Sequence, residues 1–205
     1  ETVAFFNGVM ASVNSWSLQS RVFERFGYRV LLHDFKGQLL SEKPEGPYTF
    51  KEHAEEARLL MKELGIEKVH LIGTSYGGEV ALRFAIDFPE AVKSISIIDS
   101  VSELDEVLKL FVRGWKDAAK AGDPRKFFWN MVPTIYGDSF IRKNLKMLEE
   151  RAMALEKASS DYFEGQIALY ETFLGDVCMT DLLERISCRT LVVCGEEDIL
   201  KPKKF

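Results

Sequence analysis

One short stretch constrains this chain more than any other: Val69-His70-Leu71-Ile72-Gly73-Thr74-Ser75-Tyr76-Gly77-Gly78. It reads as an apolar strand, a very tight turn carrying one serine, and a helix over residues 79–87. Glycine two positions either side of Ser75 is a steric requirement. A strand that reverses into a helix in so little space forces the central residue into a strained backbone conformation, and side chains at 73 and 77 would collide with it. The hydroxyl is then displayed at the tip of the turn, at the positive end of a helix, where negative charge is stabilised. Gly-x-Ser-x-Gly alone arises by chance in about one chain of this length in fifteen, so its neighbours must carry the inference.

Those neighbours have a clear rhythm. Apolar strands are predicted at residues 3–6, 28–33, 69–72, 94–98 and 190–194. Helices are predicted between them. Residues 13–26 place Trp16, Val22, Phe23 and Phe26 on one apolar face, and Gly27 closes that helix. A capping box at Thr49 and Glu52 opens a helix that runs to Leu64. From residue 102 to about 186 there is no strand signal. Four helical stretches (103–121, 124–131, 139–158 and 162–173) follow start signals such as Asp123-Pro124 and Ser160-Asp161.

Strands alternating with helices imply right-handed crossovers, hence an α/β fold with a mostly parallel sheet flanked by helices. Residues 1–100 and 187–205 form its core, and residues 101–186 form an inserted all-helical lid over the carboxyl edge of the sheet. Ligands of open α/β sheets bind at that edge. Ser75, Asp99, Asp198 and the turn Asn7-Gly8-Val9 all follow strand C-termini and should share one crevice.

Composition narrows the function classes. The 205 residues carry a net charge of −5, which offers no footprint for nucleic acid. No apolar run approaches the length of a membrane span, and no signal peptide is evident, so a cytoplasmic protein is expected. Cys178, Cys188 and Cys194 lack metal-type spacing and read as buried small apolar residues in a reducing compartment. No metal and no cofactor are implied.

Four signatures, in order, resemble the α/β-hydrolase family in its lidded form. Phe5-Phe6-Asn7-Gly8 looks like the strand whose following residue lends a backbone N–H to the oxyanion hole, with Asn7 in place of the usual His. His33-Asp34-Phe35-Lys36-Gly37-Gln38-Leu39-Leu40-Ser41 looks like the family's Asp-x-Arg-Gly-x-Gly-x-Ser loop, with Lys36 for Arg and Leu39 for the second Gly. Gly73-Thr74-Ser75-Tyr76-Gly77-Gly78 is similar to the nucleophile elbow. The segment from Leu191 to Pro202, with Gly195-Glu196-Glu197-Asp198, looks like the strand and loop that deliver the acid.

The resemblance implies a serine hydrolase of small carboxylic esters, lactones or thioesters. Carbon–carbon bond cleavage and peracid formation use the same residues. Ser75 would be the nucleophile, Asp198 the acid (with Asp99 its rival), and the N–H groups of Val9 and Tyr76 the oxyanion donors. The aromatic-rich lid suits an apolar or aromatic acyl group, with Trp129 as a candidate contact. Acyl chain length, leaving group and oligomeric state stay open.

The family order also places a His some tens of residues after Asp198, beyond one more strand. The chain's histidines are His33, His53 and His70, all upstream of Ser75. His70 reads as a packed strand residue, His53 as a helical residue remote from the site, and His33 as structural. The expectation is therefore a chain truncated at both ends and catalytically silent, or nearly so, as it stands. The alternative is a non-catalytic small-molecule binding protein on the same fold.

Overall fold

The computed structural model describes residues 1–204. Five strands form one sheet: β1 (Thr2–Phe6), β2 (Arg29–Leu32), β3 (Val69–Thr74), β4 (Val92–Ile98) and β5 (Arg189–Val193). Their order is β2-β1-β3-β4-β5, and every pairing is parallel. The chain leaves β1 for β2 on one side and returns to β3 on the other. The sheet therefore switches direction between β1 and β3, where a crevice opens at the carboxyl ends. Phe6 pairs with Gly73 at that point, which sets the turn after Phe6 beside the turn after Thr74.

Each central strand presents apolar residues to both faces, as a parallel sheet covered on two sides requires. Val3 and Phe5 of β1 pack on Trp16. Ala4 and Phe6 point the other way, into the main core with Leu71, Phe50, Ala54 and Phe84. That core holds α2 (Phe50–Glu63) and α3 (Tyr76–Asp87). Strand β5 forms one edge, and Leu191, Val192 and Val193 are exposed on it.

Four helices separate β4 from β5: α4 (Glu106–Lys120), α5 (Pro124–Ile135), α6 (Asp138–Leu155) and α7 (Ser160–Asp176). Asp105 and Asp123 cap α4 and α5 by accepting from Leu108 N and Lys126 N. Helix α5 continues to Ile135 through Pro133, past the expected stop at Met131. Helix α6 breaks locally at Asn144 (φ −123°, ψ 19°), whose Nδ2 donates to the Phe140 carbonyl at 2.9 Å.

Two expectations fail. The segment expected as one helix over residues 13–26 divides into a 3-10 turn (Val13–Trp16) and α1 (Ser17–Arg25). Its supposed apolar face is largely outside, with Val22 and Phe26 exposed, because the turn swings Trp16 onto the sheet and rotates the rest away. The cysteines are not buried. Cys178 is exposed, and Cys188 and Cys194 are half-buried, since two of them flank the exposed edge strand.

Candidate active site

Ser75 has φ 51° and ψ −125° and links β3 directly to α3. The flanking glycines show why no other residue fits. A Cβ at Gly73 would lie 2.3 Å from the Gly77 carbonyl oxygen, and one at Gly77 would lie 2.1 Å from the Phe6 oxygen. Gly78 also has no room as it stands, its Cβ lying 1.9 Å from the side-chain Oγ of Ser100. The turn is tied down by Ser75 N donating to the Ile98 carbonyl at 2.9 Å and by Ser100 Oγ donating to the Ser75 carbonyl at 3.0 Å. Two more non-glycine residues with positive φ, Met10 (57°) and Asp99 (46°), lie at the same sheet edge. Strain of this kind persists only where the surroundings enforce it.

Val9 and Tyr76 both line the pocket that contains Ser75. Tyr76 is the first residue of α3, so its N–H has no acceptor within the helix. The turn carrying Val9 is held by Gln38 Nε2 donating to the Gly8 carbonyl at 2.9 Å and by Met10 N donating to Gln166 Oε1 of α7 at 3.1 Å. No hydrogen bond joins Asn7 to Ser75 among the described residues. Asn7 is fully buried, accepts from Trp16 Nε1 at 2.7 Å, and donates to Asp34 Oδ1 and Gln38 Oε1. A side chain with both a donor and an acceptor thereby joins the β1 turn to the loop after β2.

The two candidate acids are neighbours. Asp99 Oδ1 accepts from Gly195 N at 2.7 Å. Asp198 Oδ1 accepts from Leu200 N at 2.8 Å and Lys201 N at 2.7 Å. Burial pushes the Asp99 carboxyl up, the Gly195 N–H pulls it down, and the Asp198 charge adds to the rise. Asp99, Cys194 and Asp198 form a possible cation-ligand group among the described residues, with donor atoms within 4.8 Å. Both carboxylates already accept backbone N–H groups, so the loop sets their positions.

Two residues at the site were missed in the sequence. Lys201 Nζ donates to Ser75 Oγ at 3.2 Å and to Glu79 Oε1 at 2.6 Å. Both side chains are almost wholly buried. Glu79 Oε1 also accepts from Val101 N at 2.8 Å, while its Oε2 has no partner among the described residues. Burial raises the Glu79 carboxyl, and Lys201 opposes the rise. One signal was available: Glu79 is an acid in the apolar first turns of α3, where every residue from Tyr76 to Leu82 is buried.

The histidines are placed differently from one another. His70 Nδ1 pairs with Ser94 Oγ across β3 and β4. His33 packs edge-on against Phe6 and Phe35. His53 is not remote from the site: it is fully buried, with Nε2 2.9 Å from the hydroxyl of Tyr76. Burial pushes His33 down to about 4; it pushes His53 down to about 3, with Lys36 and His33 adding to the effect. No hydrogen bond joins any of the three to Ser75 or Asp198 among the described residues.

The void at Ser75 is about 20 Å³, and its lining includes Val9, Trp115, Tyr170, Phe173, Leu200 and Lys201. That is room for about one water. Val9 also borders a groove of about 710 Å³ lined by Met10, Phe128, Met131, Ile135, Tyr136 and Tyr162. Trp129 lines neither. It packs beside Phe128 in a satellite cluster of α5 and α6, because its neighbour at 128 takes the inward helical position.

The model of the alpha/beta hydrolase fold family matches residues 1–203. The chain belongs to the α/β-hydrolase family. It is 37% identical over 100 residues to a 2-hydroxy-6-oxononadienedioate/2-hydroxy-6-oxononatrienedioate hydrolase of a Pseudomonas species, covering 45% of the chain and 34% of that protein. It is 25% identical over 215 residues to a proline iminopeptidase of Lactobacillus delbrueckii subsp. bulgaricus, covering 95% of the chain and 73% of that protein. Among solved structures it is similar to MGS-M2, an alpha/beta hydrolase enzyme from a Medee basin deep-sea metagenome library. The TM-score is 0.93 and the identity 27%, over all of this chain and 74% of that one. The chain thus spans from about a third to about three quarters of these relatives. No helix among its described residues is long and apolar enough to cross a membrane.

Proposed function

We propose that this family member is a cytoplasmic serine hydrolase of small carboxylic esters or related lactones and thioesters, working through an acyl-enzyme on Ser75. The observation that carries the proposal is Ser75 itself, held at φ 51° on the sheet edge. Oγ attacks the acyl carbon, and the carbonyl electron pair moves onto oxygen, facing the N–H groups of Tyr76 and Val9. Such donors typically supply about 3 kcal/mol each of transition-state stabilisation. Asp198 is the acid of the family pattern and would orient the imidazole that the pattern places after it. Residues 101–186 act as the lid, and the groove beneath them takes the apolar or aromatic acyl group. Its volume falls in the range of small-molecule sites, and the void at Ser75 takes the reacting carbonyl and the acyl carbon next to it, beside Trp115. The relatives' names span a hydrolase and a peptidase, so the resemblance supports hydrolysis as a class and not one substrate.

The test is covalent trapping of the protein expressed from its natural reading frame. A fluorophosphonate should add to Ser75, detected by intact mass and peptide mapping, and Ser75→Ala should abolish both the adduct and hydrolysis of p-nitrophenyl butyrate. An unlabelled but folded protein would leave the non-catalytic binding module as the better account.

A further inference from the structure

The groove that Val9 shares with the void at Ser75 is apolar along one wall and cationic where it meets solvent. Helix α5 presents Phe128, Met131, Val132 and Ile135 to it, the i, i+3, i+4 and i+7 face, and Tyr136, Arg151 and Lys157 also border it. We propose that this groove selects acyl groups that carry a carboxylate at the end remote from the reacting carbonyl, with Arg151, Lys157 and the Tyr136 hydroxyl as the recognition set. The proposal rests on the assignment of Ser75 as nucleophile and of the groove as the acyl site, and it names the class of acyl group.

Three observations carry it. The first is charge. No acid borders the groove, although the chain has 32 acidic residues and a net charge of −5. The clefts beside His33 and Cys194, by contrast, are bordered by Asp34, Glu42 and Glu56 and by Asp99, Glu196 and Asp198. The second is that the cations are left for a ligand. The acids near them in sequence are engaged elsewhere: Glu149 and Glu156 pair with Arg125, and Asp161 pairs with Lys43. Neither Arg151 nor Lys157 has an ion pair among the described residues. The third is positioning. Arg151 Nη1 donates to the Tyr136 oxygen at 2.9 Å, and the Tyr136 ring stacks on Phe140 at 4.9 Å. One edge of the guanidinium is thereby fixed and its other N–H groups stay available. Because the tyrosine oxygen accepts from Arg151, its own O–H is left to donate.

This set matches a carboxylate. A guanidinium offers paired N–H groups to two oxygens, and charge-assisted bonds of this kind are stronger than neutral ones. The path to it is continuous with the nucleophile. Val9 borders both the void and the groove, and Met10 packs against both the main core and the α5–α6 cluster. An acyl chain leaving Ser75 past Val9 runs against apolar side chains and ends at the cations. A neutral chain of the same length gains the apolar contacts alone.

The experiment compares kcat/KM of the protein expressed from its natural reading frame on matched ester pairs. The p-nitrophenyl hemiesters of adipic and suberic acid are set against p-nitrophenyl hexanoate and octanoate, neutral esters of the same acyl length. The parent should favour the hemiester of at least one pair by about 10-fold, the scale of two exposed charge contacts, and added salt should shrink that preference. R151Q/K157Q removes both charges and keeps a donor toward Tyr136. It should bring the ratio to within about two-fold of unity, chiefly through KM. The control K143Q/K146Q removes the same charge from residues of α6 that do not border the groove, and it should keep the parental ratio. Equal turnover of the paired esters by the parent, an unchanged ratio in the folded double variant, or an equal loss in the control would overturn the carboxylate preference and leave the serine-hydrolase proposal standing. Failure of the parent to turn over any of these esters would also overturn it, and if Ser75 forms no fluorophosphonate adduct either, the hydrolase proposal falls with it.

Discussion

The hydroxyl of Tyr76 lies 2.9 Å from His53 Nε2, so the residue that follows the nucleophile is anchored to helix α2 through the core. Both side chains are buried. Tyr76→Phe removes the hydroxyl and strands a ring nitrogen, which costs about 1–3 kcal/mol. In a chain of this size that lowers the melting temperature by roughly 2–4 °C per kcal/mol. Differential scanning calorimetry checks it. An unchanged midpoint would show that the contact contributes nothing.

Acid should weaken the fold through two histidines. In the folded protein His53 and His33 hold values of about 3 and about 4, against an ordinary 6.5. Between those limits the unfolded chain binds more protons, so stability falls as pH falls. The contribution is complete above about pH 6.5. It is lost progressively toward pH 4 for His33 and pH 3 for His53, with a slope approaching about 1.4 kcal/mol per pH unit for each fully shifted group. Urea melts of His53→Phe and the parent from pH 7 to pH 4 should show a shallower loss in the variant.

Two glycines should lose stability on substitution for different reasons and to different degrees. Gly77→Ala places a Cβ 2.1 Å from the Phe6 carbonyl, where backbone must move, at a cost of about 3 kcal/mol. Gly65 has φ +67° but nothing within 4 Å of its would-be Cβ. Gly65→Ala should cost only about 1 kcal/mol, the backbone penalty of a left-handed position. Denaturant midpoints of the two variants separate steric from conformational demand.

Trp115 and Trp129 should divide substrate preference between them unevenly. Trp115 lines the void at Ser75, and Trp129 does not. Trp115→Phe should change the ratio of kcat/KM for bulky over short acyl esters by about 10-fold or more, the scale of small changes in apolar pocket volume. Trp129→Phe should leave that ratio within about two-fold. Equal effects would mean that the void beside Trp115 plays no part in acyl preference.

Much of the site was legible because strand and turn chemistry is local. Gly73 and Gly77 announce the elbow through spacing alone, and the alternation of strands with helices places Asp99 and Asp198 at the same edge. What escaped notice depends on contacts across long separations. Lys201 reaches Glu79 over 122 positions, and no local pattern marks a lysine that folds inward. His53 meets Tyr76 only because α2 and α3 cover the same face of the sheet. Trp129 illustrates a different failure: an aromatic run at 127–129 has one inward direction, and periodicity did not choose among its members. Val22 and Phe26 failed for the same reason, since the 3-10 turn before them rotated the helix.

The hydrogen bonds from Ser75 N to the Ile98 carbonyl and from Asp99 N to the Val193 carbonyl, both 2.9 Å, continue the sheet past the formal ends of β3 and β4. Each strand therefore hands its register to the next across the row on which the candidate residues lie. A one-residue slip anywhere in β3, β4 or β5 would turn side chains to the opposite face and separate Ser75 from Asp99 and the loop of Lys201. A misregistered sheet could keep its strands and still lack the site. If Ser75 is the nucleophile proposed above, its labelling serves as a check on alignment and should vanish in any species whose strands are formed but wrongly matched.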